Sequence, residues 1–483
     1  FNALKLTSDQ SKALEAFQNW VEKSDFSIPF VLSGYAGSGK TFLSMRFLKY
    51  AEKKGLYWTV VAPTHKAVGV LQDALRKEAL KPTWYPSTIH RLLRLKLKRK
   101  DSIEICEETR ETPKSLEQLG LVLIDESSMI EAGLLEIILR CANQSGTRIV
   151  FVGDSAQLPP VGEESSPVFL LKRASNSDLK EVVRHQGPVL QLATFIRNCQ
   201  SGCVPPPCMP SINTHQGVIG FLKYDEWLKK AMDSLRSAAE EDKADEVRIL
   251  CYTNRVVESL IPNARKAIHG EMAEQLTVLP GEVLISRNAI MSTALINRTD
   301  FQKQSEMVIG SNRELVVQDV KPHSCNLAEF GITSNCIPDI PVIKTLEVKA
   351  SLMDLKIVLR LLPPVGSQSR GLLDKTLKSL ANQAKDSENK DSRLTWKQFF
   401  LIRDAFASLG PASVLTVHRS QGSSFDKVFI ATDVFWPKDI TLRKQLVYVA
   451  VTRARKSVWL IGENKGEFKQ KNWKIFSSEN IIQ

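Results

Sequence analysis

The chain has 483 residues, 43% hydrophobic and 24% charged, the balance of a globular protein with room for about three domains. No apolar run approaches the roughly 18 residues of a membrane span, and the N-terminus shows no signal-peptide pattern. The formal net charge of +12 suits a polyanionic partner without requiring one.

The first element with chemical content is Phe30-Val31-Leu32-Ser33, a short buried strand. It runs into Gly34-Tyr-Ala-Gly37-Ser38-Gly39-Lys40-Thr41, a full match to G-x-x-x-x-G-K-[ST]. The spacing predicts a helix over 41–54, closed by Gly55. Strand, glycine turn and helix together form a phosphate cradle. Backbone N–H groups wrap an anion there, and the helix N-terminus adds a favourable dipole. Lys40 is placed for β/γ-phosphates and the Thr41 hydroxyl for Mg²⁺, so a nucleoside triphosphate is the expected ligand.

Three more apolar strands follow: Trp58–Ala62, Leu121–Glu126, which ends in two acids, and Arg148–Asp154. Their alternation with helical segments predicts an α/β domain with a parallel sheet, whose ligands lie beyond the strands' carboxyl ends. Asp125-Glu126 closes the second of these strands. We assign Asp125 to the metal ion and Glu126 to deprotonation of an attacking water. Gln157, in Gly153-Asp-Ser-Ala-Gln157-Leu-Pro-Pro160, is suited to sensing a γ-phosphate through its amide. Arg184 and Arg453 are the candidates for an arginine that reaches a transferring phosphoryl group. Eight cysteines are scattered through the chain, as expected in a reducing compartment. Cys199, Cys203 and Cys208 form one cluster, but it matches no zinc template and reads as a loop around Pro205–Pro207.

Taken in order, these segments resemble a superfamily 1 helicase, most closely the Dda-like and RecD-like branch. Thr7 and Gln10 are similar to the Q motif, which implies adenine recognition by Gln10. Gly34 to Thr41 is similar to motif I, Ala62-Pro-Thr64-His65-Lys-Ala-Val68 to motif Ia, and Ser87-Thr88-Ile-His90 to the next DNA-contact motif. Asp125-Glu126 corresponds to motif II, Gly153 to Pro160 to motif III, and the segment ending at Arg184 to motif IV. Thr416-Val-His418-Arg-Ser-Gln421-Gly422 is similar to motif V, and Tyr448 to Arg455 to motif VI, with Arg453 at the finger position.

The resemblance implies two RecA-like P-loop NTPase domains with ATP and Mg²⁺ between them, plus a small β-hairpin insertion (1B) and an SH3-like β insertion (2B). The expected boundaries are 1–90 and 119–187 for domain 1A, 91–118 for 1B, 188–320 and 411–483 for 2A, and 321–410 for 2B. The alternating run from Leu92 to Lys100 and the run Ile103–Glu107 predict a hairpin with its tip at Asp101-Ser102. The family uses this hairpin as a strand-separating pin. Here its tip has no aromatic residue, so a wedge would act by bulk. Trp396, within 2B, is a candidate nucleic-acid contact, with a core position expected ahead of that role. Ser311-Asn-Arg-Glu-Leu315 departs from relatives by having Arg313 where they often carry glycine, which leaves that turn open.

Thr64, His65, Thr88, His90, Asn254, Thr416 and His418 are the family-matched nucleic-acid contacts. Hydroxyls, an amide and imidazoles suit phosphate and sugar, which carry no base sequence. The resemblance implies a DNA helicase that moves 5′ to 3′ on single-stranded DNA, acts at single/double-strand junctions and works as a monomer away from membranes. It also implies replication or repair proteins as partners, and the cytoplasm of a bacterium or of a virus-infected cell as its location. On the residues alone three alternatives stay open: an RNA helicase, a nucleic-acid-stimulated ATPase that does not unwind, and a P-loop enzyme acting on small molecules.

Overall fold

Every other residue of the first-lobe strands meets a different core, which is why these strands read as continuous apolar runs rather than alternating ones. Phe30, Leu32, Val60, Leu121, Leu123, Val150 and Val152 pack on one face. Val31, Val61, Val122, Ile124, Ile149 and Phe151 pack on the other. The computed structural model describes residues 6–461 apart from 101–102, 161–162, 164, 182–186, 199–210, 213–215, 222, 297–306, 333–338, 353–354 and 387–389. The chain forms two compact units, one holding both six-stranded sheets and the other built on Glu258–Val414.

The first sheet has the strand order Ser87–Thr88, Trp58–Ala62, Leu121–Ile124, Arg148–Gly153, Phe30–Gly34, Ser175–Leu179, and every pairing is parallel. The second runs Val414–Thr416, Val247–Cys251, Phe425–Ile430, Ala454–Ile461, Gly217–Phe221, Ser211–Ile212. It is parallel among its central strands and antiparallel at the last pair. These are the two RecA-like α/β lobes expected from the sequence. The phosphate-loop helix spans Lys40–Lys53, and Gly55 takes the left-handed φ of +72° that ends it.

The other unit holds a five-stranded antiparallel sheet in the order Leu355–Arg360, Val342–Leu352, Glu314–Asn326, Val283–Ser286, Leu409–Pro411. Helices Gln368–Asp386 and Lys390–Arg403 follow its last long strand. This corrects the expected 321 boundary. Glu314–Asn326 is one continuous strand that passes through that position, and its partner Val283–Ser286 lies further upstream still. A sheet cannot be divided within a strand, so the second insertion begins before residue 321. Trp396 is half-buried and stacks on Phe400, with Phe399 edge-on, so it is a packing residue as expected.

Two local expectations also shift. The hairpin's first strand starts at Lys96 rather than Leu92, because Leu92 and Leu93 are drawn into the first-lobe core at the end of a short helical turn, Ile89–Leu92. The second strand, Ile103–Glu107, falls where expected, while the tip at 101–102 lies outside the described residues. In the turn before Glu314 the positive φ, +59°, falls on Asn312 and not on Arg313. Asparagine tolerates the left-handed region, so an arginine can follow it without strain.

Candidate nucleotide site and nucleic-acid edge

The phosphate loop leaves the strand Phe30–Gly34 and enters the helix at Lys40. Gly37 and Gly39 take φ of +81° and +85°, which turns successive backbone N–H groups inward. A side chain at Gly34 would sit 2.7 Å from Ser38 Oγ, so the loop closes on itself only because no Cβ is there. Lys40 Nζ donates to the carbonyls of Gly34 (2.6 Å) and Tyr35 (3.1 Å), which holds the ammonium over the loop. Thr41 occupies the first turn of the helix.

Asp125 follows the inner strand Leu121–Ile124, one strand removed from the phosphate-loop strand, and its N–H donates to Val61 O (2.9 Å). Its Oδ1 accepts from the Glu126 N–H (2.8 Å). Desolvation chiefly, with the adjacent Glu126 charge, pushes the Asp125 carboxyl up to about 6, and Lys40 opposes the rise. Glu126 has φ +51°, uncommon for a residue with a side chain and a strain of the kind found at working sites. Gln157 is buried, and among the described residues its Oε1 has no hydrogen-bond partner; nor does the buried Ser38 Oγ. Unpaired buried polar atoms beside a phosphate loop fit a site that is completed by a polar ligand.

The arginine of motif VI is elsewhere. Arg453 is buried, and its guanidinium donates to Val449 O (3.2 Å), Ser423 O (3.1 Å) and Thr452 Oγ1 (3.2 Å), all in the second lobe. The structure therefore does not bring it to Lys40 or Asp125. Its own lobe offers three acceptors, two backbone carbonyls and the Thr452 hydroxyl, enough to hold a desolvated cation. Arg184 lies outside the described residues. Gln10, expected to read adenine, is buried with both ends of its amide engaged. Oε1 accepts from Thr7 N (3.2 Å) and Nε2 donates to Ser38 O (3.0 Å), so it braces the phosphate loop against a capping box.

Contacts that sequence reasoning left unassigned join the lobes here. Tyr448, buried in the helix Ile440–Thr452, donates to Asp154 Oδ2 (2.7 Å) and accepts from the Ala36 N–H (3.1 Å). Arg197 lies over the Tyr35 ring at 3.5 Å, and Gln421 Nε2 donates to Leu158 O (3.1 Å). Tyr448 was legible as part of motif VI. Its partners were not, because they lie roughly 300 and 400 residues away in sequence.

The expected nucleic-acid residues gather at the carboxyl ends of outer strands. Thr88 pairs with Ala62 in the sheet, which sets Thr64 beside it. Thr64, Thr88 and Thr416 each accept from a backbone N–H three residues on: Ala67 (3.3 Å), Arg91 (3.4 Å) and Arg419 (3.4 Å). His65 opens the helix His65–Lys77 and its side chain lies outside the described residues. Asn254 is exposed at the start of the helix Asn254–His269, next to the Thr416 strand. A Cβ at Gly422 would lie 3.0 Å from Thr64 Oγ1, so motif V packs against motif Ia across the lobes. Burial holds His90 and His418 below the usual imidazole range, so both are neutral at pH 7. The Cys199–Cys208 cluster lies outside the described residues.

Comparison with known proteins gives the same picture. Residues 5–202 match the AAA domain family model, and 411–461 match the UvrD-like helicase C-terminal domain. The ATP-dependent DNA helicase dda of Enterobacteria phage T4 is 26% identical over 94% of this chain and 99% of its own. These matches make the chain similar to the superfamily 1 helicases of the Dda-like and RecD-like branch. A second relative in this branch, the ATP-dependent RecD2 DNA helicase of Deinococcus radiodurans, is 31% identical over 34% of this chain and 21% of its own. Among solved structures, Bacteroides Pif1 bound to ssDNA is 18% identical, covers 99% of this chain and 96% of its own, and has a TM-score of 0.45. Both family models fall on the superfamily motifs, the first over the phosphate loop and Asp125-Glu126, the second over motifs V and VI.

Proposed function

We propose that this chain is an ATP-dependent DNA helicase that moves 5′ to 3′ on single-stranded DNA and opens duplexes at single/double-strand junctions. The observation that carries the reading is the meeting of the two lobes at the phosphate loop, with the motif V loop seated against motif Ia beside it. A nucleotide held there is touched by both lobes, and a strand lying over Thr88, Thr64, Thr416 and Asn254 spans both as well. Opening and closing of one cleft then shifts the other set of contacts.

Thr41 and Asp125 would hold Mg²⁺, which when bound supplies charge neutralisation for the phosphates. Lys40 exchanges the carbonyls of Gly34 and Tyr35 for phosphate oxygens. Glu126 accepts the proton of the attacking water, and Gln157 senses the γ-phosphate through its amide. Arg453 leaves Ser423 O and reaches the transferring group when the lobes close, with Arg184 as the second cation. Threonine hydroxyls and neutral imidazoles bind backbone without reading bases, so binding is sequence-tolerant. The hairpin 91–118 serves as the pin, and 2B adopts an SH3-like form. The protein acts as a monomer in the cytoplasm with replication or repair partners.

ATP hydrolysis measured with single-stranded DNA and RNA side by side, followed by unwinding of forked duplexes with 5′ or 3′ tails, tests this reading. Stimulation by DNA and unwinding from the 5′ tail are expected. Hydrolysis indifferent to nucleic acid would overturn the motor, greater stimulation by RNA would reassign the substrate, and unwinding only from a 3′ tail would overturn the polarity.

A further inference from the structure

Two helices of the second lobe reach the phosphate loop at adjacent residues. From Ile440–Thr452, the Tyr448 hydroxyl accepts the Ala36 N–H at 3.1 Å. From Pro188–Asn198, which packs on it, the Arg197 guanidinium covers the Tyr35 ring at 3.5 Å. Tyr448 is almost fully buried, and its one hydroxyl serves two parts of the first lobe, because it also donates to Asp154 Oδ2 at 2.7 Å. Asp154 is itself fully buried and structures the motif III turn: its Oδ1 accepts from Ala156 N at 2.9 Å and its carbonyl from Gln157 N at 3.2 Å. The hydrogen bonds therefore run without a break from the phosphate loop through Tyr448 and Asp154 to the residue placed to sense the γ-phosphate. Five residues beyond Tyr448, at the end of the same helix, is Arg453.

We infer that Tyr448 is a positioning residue that registers the phosphate loop and the Gln157 turn against the helix carrying Arg453, so that the second lobe senses the nucleotide site before its arginine enters it. The inference deepens the proposed ATP-driven cycle and rests on that reading. A phenol suits the task for a chemical reason. It donates to a carboxylate and accepts from an amide at once, in a buried place where either group alone would be left unsatisfied. Phenylalanine keeps the ring and its packing but removes both bonds. The burial that surrounds Tyr448 also keeps the phenol protonated, so the donor is present at every working pH.

The test is steady-state ATP hydrolysis by Tyr448→Phe and Asp154→Asn, with and without single-stranded DNA, beside thermal melting of each variant. We expect kcat to fall about tenfold in Tyr448→Phe with KM for ATP changed less than about twofold, because the bonds lost position groups for the reaction rather than hold the ground-state nucleotide. The double variant should be little slower than Tyr448→Phe alone, since both changes cut the same link. A kcat within about twofold of wild type in Tyr448→Phe overturns the inference, as does a full product of the two single effects in the double variant. If Tyr448→Phe melts far below wild type, Asp154→Asn alone carries the same kcat and KM criterion. A wild type that hydrolyses ATP without responding to DNA sinks the helicase reading yet leaves this comparison decisive, since the variants are judged on the rate the wild type shows. A wild type with no hydrolysis overturns both.

Discussion

Lys40 and Arg453 are both cations assigned to one triphosphate, and the two lobes hold them differently. Lys40 already lies over the phosphate loop, with carbonyls of that same loop as its partners. Arg453 is folded back against Val449, Ser423 and Thr452 of its own lobe. The first lobe is thus a site assembled by local chain geometry, and the second holds a group that has to exchange partners before it can act. On the proposed cycle the difference separates binding from turnover, with the ready cation serving affinity and the stowed one rate.

Substitutions can break or sharpen that contrast. The largest effect is expected from Lys40→Ala, which should abolish hydrolysis mainly by removing nucleotide binding, read as loss of a fluorescent ATP analogue's signal together with the rate. Arg453→Ala should lower kcat by about 10³-fold while nucleotide binding stays within a few-fold of wild type. Equal loss of binding in the two variants would erase the distinction. Glu126→Gln should bind ATP normally and turn over about 10²-fold or more slowly, as loss of a general base requires; near-normal turnover would remove the assignment of the base.

A smaller effect concerns stability. The Asp125 carboxyl titrates near 6 in the folded protein against 3.8 when free. Between those values the folded state holds a proton that the unfolded state has released, so stability falls as pH rises through that window and the penalty is complete above about 6. Asp125→Asn should therefore raise the melting temperature by a few degrees at pH 7, without nucleotide or metal, and by nothing at pH 4. A uniform shift at both values would show that charge is not the cause. The smallest effect is an expected constancy. Because burial keeps His90 and His418 neutral, affinity for single-stranded DNA should change less than about twofold between pH 7 and 8, by fluorescence anisotropy.

Much of this was legible in the residues. The phosphate loop, its helix and the Asp125-Glu126 strand end are local patterns, in which glycine conformations, a helix start and a buried strand each leave a short-range signature. Leu92 was misread because a basic, alternating run hides the fact that Leu92 and Leu93 belong to the neighbouring core. The 321 boundary failed because the pairing of Glu314–Asn326 with Val283–Ser286 joins segments about 30 residues apart, and no local pattern records a strand's partner. Gln10 reads as a ligand contact in the sequence, and only the fold shows that its amide also braces Thr7 and Ser38.

The sequence by itself determined the phosphate loop, its helix and the Asp125-Glu126 strand end, because these depend on spacings of a few residues, while the two RecA-like lobes followed from the family resemblance. Only the tertiary structure decided that Tyr448 bridges Ala36 and Asp154, that Gly422 rests on Thr64, and that Arg453 is turned inward. Those are meetings of segments far apart in the chain. Their geometry is set by how two separately folded sheets pack, and neither segment encodes that alone.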